Sequence, residues 1–355
     1  MSSFGHFVGV AAVGALSISC GGDSSTTPVS PTMTTTTSPT GSTTSVTFSG
    51  TVKNIVTGTN VSGATVTIGT ASGTTGTDGT YSLEVTASGQ PDFSVSATGY
   101  YTRKSAVSMT GSTTINPEII PQGDGFDLAF FDHSFREGSK GTTRWADQAQ
   151  APYEIWMQVW KCVEPCVDGG AAEFEATAET IPGNVETYMR EAIAHTSDLT
   201  GGTMTNPVIT TKTHPVGTRV GGQGSNRDGA SGNSIQFIFI DKFENPAQGG
   251  SAWLSFAQSC SDPCAGLAIT GSTIKISRAH DTHSRGNGIY THELGHALGM
   301  IPGHGADLSL VPGPSIMGDD AVGVTAKDRL HTKILYKRPI GSVSPDTDPA
   351  GTTIN

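Results

Sequence analysis

Residues 291–305 read THELGHALGMIPGHG, and the spacing of its first two histidines decides how the C-terminal part of the chain folds. On an α-helix each residue advances about 100°, so His292 and His296 lie within ~40° of one another and both imidazoles can reach one metal ion. Tyr290, Leu294, Ala297, Leu298 and Ile301 fall on the opposite side and give the segment a core-facing stripe. Glu293 is angled off the histidine face, where a carboxylate can take a proton from water held at the ion. A catalytic zinc takes three protein ligands and keeps one position open. No glutamate follows Glu293, which leaves His304, His331 and the aspartates Asp307, Asp319, Asp320 and Asp328 as downstream donors.

Further along stand Gly299, Ser315-Ile316-Met317-Gly318 and Thr325-Ala326-Lys327-Asp328, continuing to Ile334-Leu335-Tyr336. Together with HExxH, this series resembles the metzincin zinc endopeptidases, most of all the matrixins, with the specific part confined to about residues 290–336; the resemblance implies a sharp helix reversal at Gly299, a tight methionine turn at Met317 and a final helix through Tyr336. The resemblance implies an α+β domain with a mixed sheet and an active-site helix, one catalytic Zn2+, and Met317 packed beneath the metal. It also implies hydrolysis of peptide bonds through a zinc-activated water, with Glu293 as general base. Where the family places its third histidine this chain has Pro302, which cannot bind a metal through its side chain. The simplest account is that Ile301-Pro302-Gly303 enlarges the loop and returns His304 to the ion; Asp307 is the other candidate, since carboxylate oxygen also coordinates zinc.

The chain begins MSSFGHFVGVAAVGALSISC, an apolar run ending at a cysteine preceded by small residues. It resembles a bacterial lipoprotein signal peptide over residues 1–20, with Leu16-Ser17-Ile18-Ser19-Cys20 as the lipobox. That resemblance implies export, a lipid on Cys20 and attachment to the outer membrane or cell surface, or else secretion. Residues 21–46 are almost purely Ser, Thr, Pro and Gly and have too little to bury to repay ordering, so they read as a flexible stalk.

Residues 47–121 change character, with period-two runs at Thr47–Ser49, Ala64–Ile68, Tyr81–Val85 and Phe93–Ala97 between Gly- and Asp-rich turns. This is the signature of a small all-β sandwich. Gly50-Thr51-Val52, Gly63-Ala64-Thr65-Val66, Thr77-Asp78-Gly79-Thr80-Tyr81 and Ala97-Thr98-Gly99-Tyr100 resemble the carboxypeptidase regulatory-like, prealbumin-like domain. Asp78-Gly79 supplies its tight turn and Tyr81 a buried ring. The segment holds no His or Cys, which points to a spacer or a carbohydrate-binding module rather than a reactive site.

Residues 122–340 carry all four tryptophans and the remaining cysteines. Strands are expected at Tyr153–Val159, Ser234–Ile240, Ala252–Phe256 and Ile274–Ser277, with helices over Asn184–Thr196 and from Gly288. Cys162, Cys166, Cys260 and Cys264 form two similar clusters, CVEPC and CSDPC. Disulfides are the expected state for an exported chain; three connectivities are open, with pairing within each cluster preferred because each proline sits in a turn, and a four-thiolate zinc is the alternative. His280 and His283 read as solvated loop histidines, and His133, His195, His214 and His331 have no partner pattern. Residues 341–355 read as a polar, frayed tail.

The balance of 20 Lys+Arg against 31 Asp+Glu, a formal charge of −11, would repel a phosphate backbone and argues against nucleic acid as a partner. The expected partners are a protein or peptide substrate, extended along a strand edge, and a membrane reached through the lipid. The acids form no readable calcium loop, so a structural Ca2+ is left open. Two other readings fit the same residues: a surface binding or adhesion protein with a non-catalytic metzincin-like domain, and a zinc amidase acting on envelope material.

Overall fold

The computed structural model describes residues 44–136, 141–148, 150–164, 166, 172–221, 233–245, 248–256, 266–278, 288–301, 314–318 and 323–354. The lipobox with Cys20, the stalk, His280, His283, His304, Asp307, Asp319, Asp320, Cys260 and Cys264 all lie outside them.

The alternating runs fold as expected into nine strands: β1 (Thr44–Thr51), β2 (Lys53–Asn54), β3 (Thr65–Ile68), β4 (Ala71–Thr74), β5 (Thr80–Ala87), β6 (Asp92–Ser96), β7 (Arg103–Ala106), β8 (Thr113–Thr114) and β9 (Glu118–Ile119). They make one sheet ordered β5-β1-β8, another ordered β4-β3-β6-β7, and a small β2-β9 pair. On β5, TYSLEVTA buries every second residue, so Tyr81, Leu83 and Val85 join Phe48, Val66, Ile68, Phe93 and Val95 in one apolar core. The Asp78 carboxylate accepts from the Thr80 amide and hydroxyl, and Gly79 takes φ 77° to close the turn. Tyr81 is buried and donates to Ile115 O.

The second region adds α1 (Leu128–Phe135), β10 (Arg144–Trp145), β11 (Gln150–Cys162), β12 (Glu173–Thr180), α2 (Gly183–Ala194), α3 (Thr196–Leu199), β13 (Asn206–Lys212), β14 (Arg219–Gly221), β15 (Ile235–Ile240), β16 (Gly250–Phe256), β17 (Ala268–Ser277), α4 (Gly288–Ala297) and α5 (Ala326–Lys337). Its mixed sheet runs β16-β17-β15-β11, with β13 and β12 sharing the far edge of β11. The β13, β11, β15 and β17 ladders are parallel, whereas β16 is antiparallel to β17 with Gly250 opposite Ile276. β15 (IQFIFI) is buried at every position because both faces of the sheet are covered. One face sends Tyr153, Ile155, Phe237, Phe239, Ile274 and Ile276 into the core shared with the helices. The other carries Trp156, Trp160, Phe174, Ile238 and Ile240.

Cys162 and Cys166 are joined in a disulfide at the end of β11, the local pairing expected for that cluster. The bond removes two of the four sulfurs that a four-thiolate zinc would need.

The tail departs from expectation. Residues 341–354 do not fray: Asp346 is fully buried and binds Arg338 through two bonds of 2.6 and 2.8 Å, and Asp348 meets Arg103 at 3.0 Å. The segment also follows the outer edge of β7, where Lys104 N donates to Asp346 O, Asp348 N to Lys104 O and Ile354 N to Ala106 O. A polar composition points to solvation, but here the charges are buried in pairs and hydrogen-bonded, the condition under which burial is tolerated. Ser42 onward forms one compact unit that includes the front sandwich and the helical region.

Candidate metal centre and cleft

The helix that carries HExxH, α4, spans Gly288–Ala297. Its apolar stripe is buried through Tyr290, Leu294, Ala297 and Leu298. Ile301, grouped with that stripe by periodicity, lies beyond the helix end, is half-buried and lines a cleft instead. The reversal comes at Gly299, where φ is 112° and a side chain would collide with Thr143 O at 2.5 Å.

Both histidines have their tautomer set by backbone. His292 Nδ1 lies 2.6 Å from Ile316 O, and His296 Nδ1 lies 2.6 Å from Met300 O. A carbonyl only accepts, so each Nδ1 carries the proton and each Nε2 is left with a lone pair. The two Nε2 atoms face one another at 3.1 Å. Two lone pairs at that separation need an electrophile between them, a shared proton or a metal ion, and neutral imidazole nitrogens oriented by backbone carbonyls suit zinc. The donor set therefore fits the metal that the motif implies. Among the described residues no group of three His, Cys, Asp or Glu stands together, and His304 lies outside them.

The carbonyl that orients His292 belongs to the methionine turn. Met317 and Ile316 are buried beneath the helix at Gly295, where a Cβ would come within 2.5 Å of Met317 Cε and 2.8 Å of Ile316 Cδ1. The turn is pinned in its place by Asp328, fully buried at the start of α5. Its carboxylate accepts from Ser315 Oγ at 2.6 Å, Ile316 N at 3.1 Å and Thr325 N at 2.9 Å, while Thr325 Oγ1 receives the Asp328 amide and completes a capping box. Asp328 is thus removed from the donors: its oxygens already serve the turn. His331 is removed for the same reason, with Nδ1 donating to Lys327 O, Nε2 accepting from Asp127 N, and its ring against Phe126 and Phe130. Tyr336 is buried and donates to Leu298 O, which makes it part of the scaffold.

Glu293 is 3% exposed, and its Oε2 has no hydrogen-bond partner among the described residues. Burial pushes its carboxyl up to about 8, because taking the charge out of water disfavours the ionised form. A cation on the neighbouring imidazoles would oppose that shift. The side chain lies at the foot of a cleft of about 270 Å³ between α4 and β16, whose walls include His296 and Met300 on one side and Ala252 and Leu254 on the other. Among the described residues β16 pairs only with β17. Gly295, Asp328 and Gly250 are the site residues that motif reading missed or misassigned; the signal available for the glycines was their placement inside a helix and a strand, where glycine is unfavourable.

No family model matches the chain, and no curated protein does. Among solved structures, it overlaps a type II cohesin–X-dockerin complex of Acetivibrio cellulolyticus at 25% identity and a TM-score of 0.19, covering 21% of this chain and 56% of that one. A second mutant of that complex overlaps at 22% identity and a TM-score of 0.20, covering 27% and 76%. A Bacteroides fragilis protein of unknown function, described as membrane-associated, overlaps at 24% identity and a TM-score of 0.19, covering 22% and 28%. The chain spans about half the length of the first of these, and overlaps this small assign nothing to the site. Among the described residues no helix is long and apolar enough to cross a membrane.

Proposed function

We propose that this chain is an exported, lipid-anchored zinc endopeptidase of the metzincin type, with His292, His296 and His304 as ligands and Glu293 as general base. The observation that carries the reading is the pair of backbone-oriented imidazoles facing each other at 3.1 Å beside a buried carboxylate that opens on a cleft. Bound zinc supplies a Lewis acid that polarises a carbonyl and lowers the pKa of water. Glu293 takes a proton from the attacking water and delivers it to the departing amine. The edge of β16 that no described strand pairs offers main-chain donors and acceptors to an extended peptide, which fixes the scissile bond over Glu293. Cys20 carries the lipid and the Ser/Thr-rich stalk sets the folded part away from the surface.

The test is zinc content and cleavage of casein or a quenched peptide by residues 47–355, compared for wild type, Glu293→Ala and His304→Ala. One zinc per chain, activity abolished in Glu293→Ala and zinc lost in His304→Ala support the whole assignment. Zinc and activity both kept in His304→Ala move the third ligand to Asp307. Hydrolysis by none of the three turns the protein into a surface binding module. Radiolabelled palmitate incorporated by the full chain, but not by Cys20→Ala, tests the anchor.

A further inference from the structure

The edge strand β16 opens with a glycine that its backbone does not require. Gly250 sits in regular antiparallel register opposite Ile276, and its φ is outside the left-handed region where glycine is needed. Glycine in a strand forfeits side-chain packing and costs backbone entropy, so its presence marks a close approach by something else. That neighbour is the general base. A methyl group placed on the Gly250 Cα would lie 2.6 Å from Oε1, 2.7 Å from Cγ and 2.9 Å from Cδ of Glu293, and these are its three nearest atoms. The Gln248 side chain donates to the Gly250 carbonyl at 3.1 Å and helps hold the strand there.

We propose that Gly250 is a positioning residue for Glu293: the missing side chain is the seat in which the carboxylate is held at the foot of the cleft. Any side chain at position 250 displaces the base while leaving His292 and His296 on their backbone carbonyls. The inference rests on the peptidase reading for its kinetic consequence, but the seat itself is a matter of packing. Glutamate has freedom at three torsions, so a methyl group there moves the carboxylate rather than the strand. A displacement on the order of an ångström is enough to cost a proton-transfer step tenfold or more.

The experiment is a double-mutant cycle in the full chain. Gly250→Ala should lower kcat at least about tenfold with KM within about twofold and zinc content unchanged. In a Glu293→Asp background, where the carboxylate is one methylene shorter, the same substitution should change kcat by less than about twofold. An equal fold loss in both backgrounds, or a loss carried by KM, overturns the proposal. Thermal melting of the chelator-treated protein gives a second readout: Gly250→Ala should lower Tm in the wild-type background and leave it unchanged or raised in Glu293→Ala, where the space is free. An equal fall in both backgrounds also overturns it. If wild type hydrolyses nothing, the peptidase reading fails, while the melting comparison still decides the seat.

Discussion

Helices α4 and α5 each carry histidine beside a buried acid, and they treat these groups in opposite ways. His331 on α5 and His296 on α4 each give their Nδ1 proton to a backbone carbonyl of the same chain segment, so their tautomers agree. They differ at Nε2: His331 meets the Asp127 amide, whereas His296 meets the lone pair of His292. The acids repeat the contrast. Asp328 is saturated by the turn and the cap, whereas Glu293 Oε2 has no partner among the described residues and lies against a cleft. A buried polar group that is fully satisfied stabilises a fold, and one left open at a cavity is poised for a ligand or a proton.

The sharpest way to break this comparison is to neutralise the two acids. Glu293→Gln should cut peptide hydrolysis by about a thousandfold while leaving Tm near its wild-type value at pH 7, since a carboxyl pushed up to about 8 is already mostly neutral there and the amide keeps its shape; cleavage assays and melting on one preparation check both halves. Asp328→Ala should do the reverse first, costing about 3 kcal/mol in denaturant unfolding because buried donors on Ser315 and Ile316 lose their acceptor. Its activity should then fall as a consequence, through the slackened Ile316 carbonyl behind His292.

A smaller effect separates the histidines. Burial holds the His331 imidazole below its ordinary value, and the Lys327 ammonium acts in the same direction, against the bond to the Lys327 carbonyl and the nearby Asp127 carboxylate. The unfolded chain therefore takes up a proton as pH falls through about 6.5 while the folded chain resists, so this contribution is whole above that pH and fades below it. His331→Phe should start less stable at pH 7, with the Asp127 amide unanswered, and show a shallower decline toward pH 5 in urea titrations. The smallest expected change is Thr325→Ala, about 1 kcal/mol for the lost N-cap, with hydrolysis nearly intact.

The strands of the front sandwich and the core of the second sheet were legible because their side chains alternate or run continuously apolar, as in TYSLEVTA and IQFIFI. Helix α4 was legible from the spacing of its histidines and from Gly299. What sequence could not give were dependencies between distant segments. Asp328 looked like a metal donor because nothing local reveals that Ser315 and Ile316 lie against it. The short helix LAFFDHSF escaped because eight residues hold barely two turns of periodicity and its cap, Asp127, is visible only in the fold. The polar tail misled for the same reason: Arg103, Arg338 and their partners are far apart in the chain, and only the fold turns those charges inward.

The strap of residues 346–354 along β7 also sets an order of events during biosynthesis. Arg103 and Asp348 are 245 residues apart, so when the front sandwich has left the ribosome its β7 edge has nothing yet to pair with. At roughly 5–20 residues per second that edge stays bare for about 10–50 s, longer than a small sandwich needs to fold. A bare edge strand is a template for another chain. The seam that closes last is therefore the one at which a nascent copy is most exposed to mispairing and to the chaperones that guard against it.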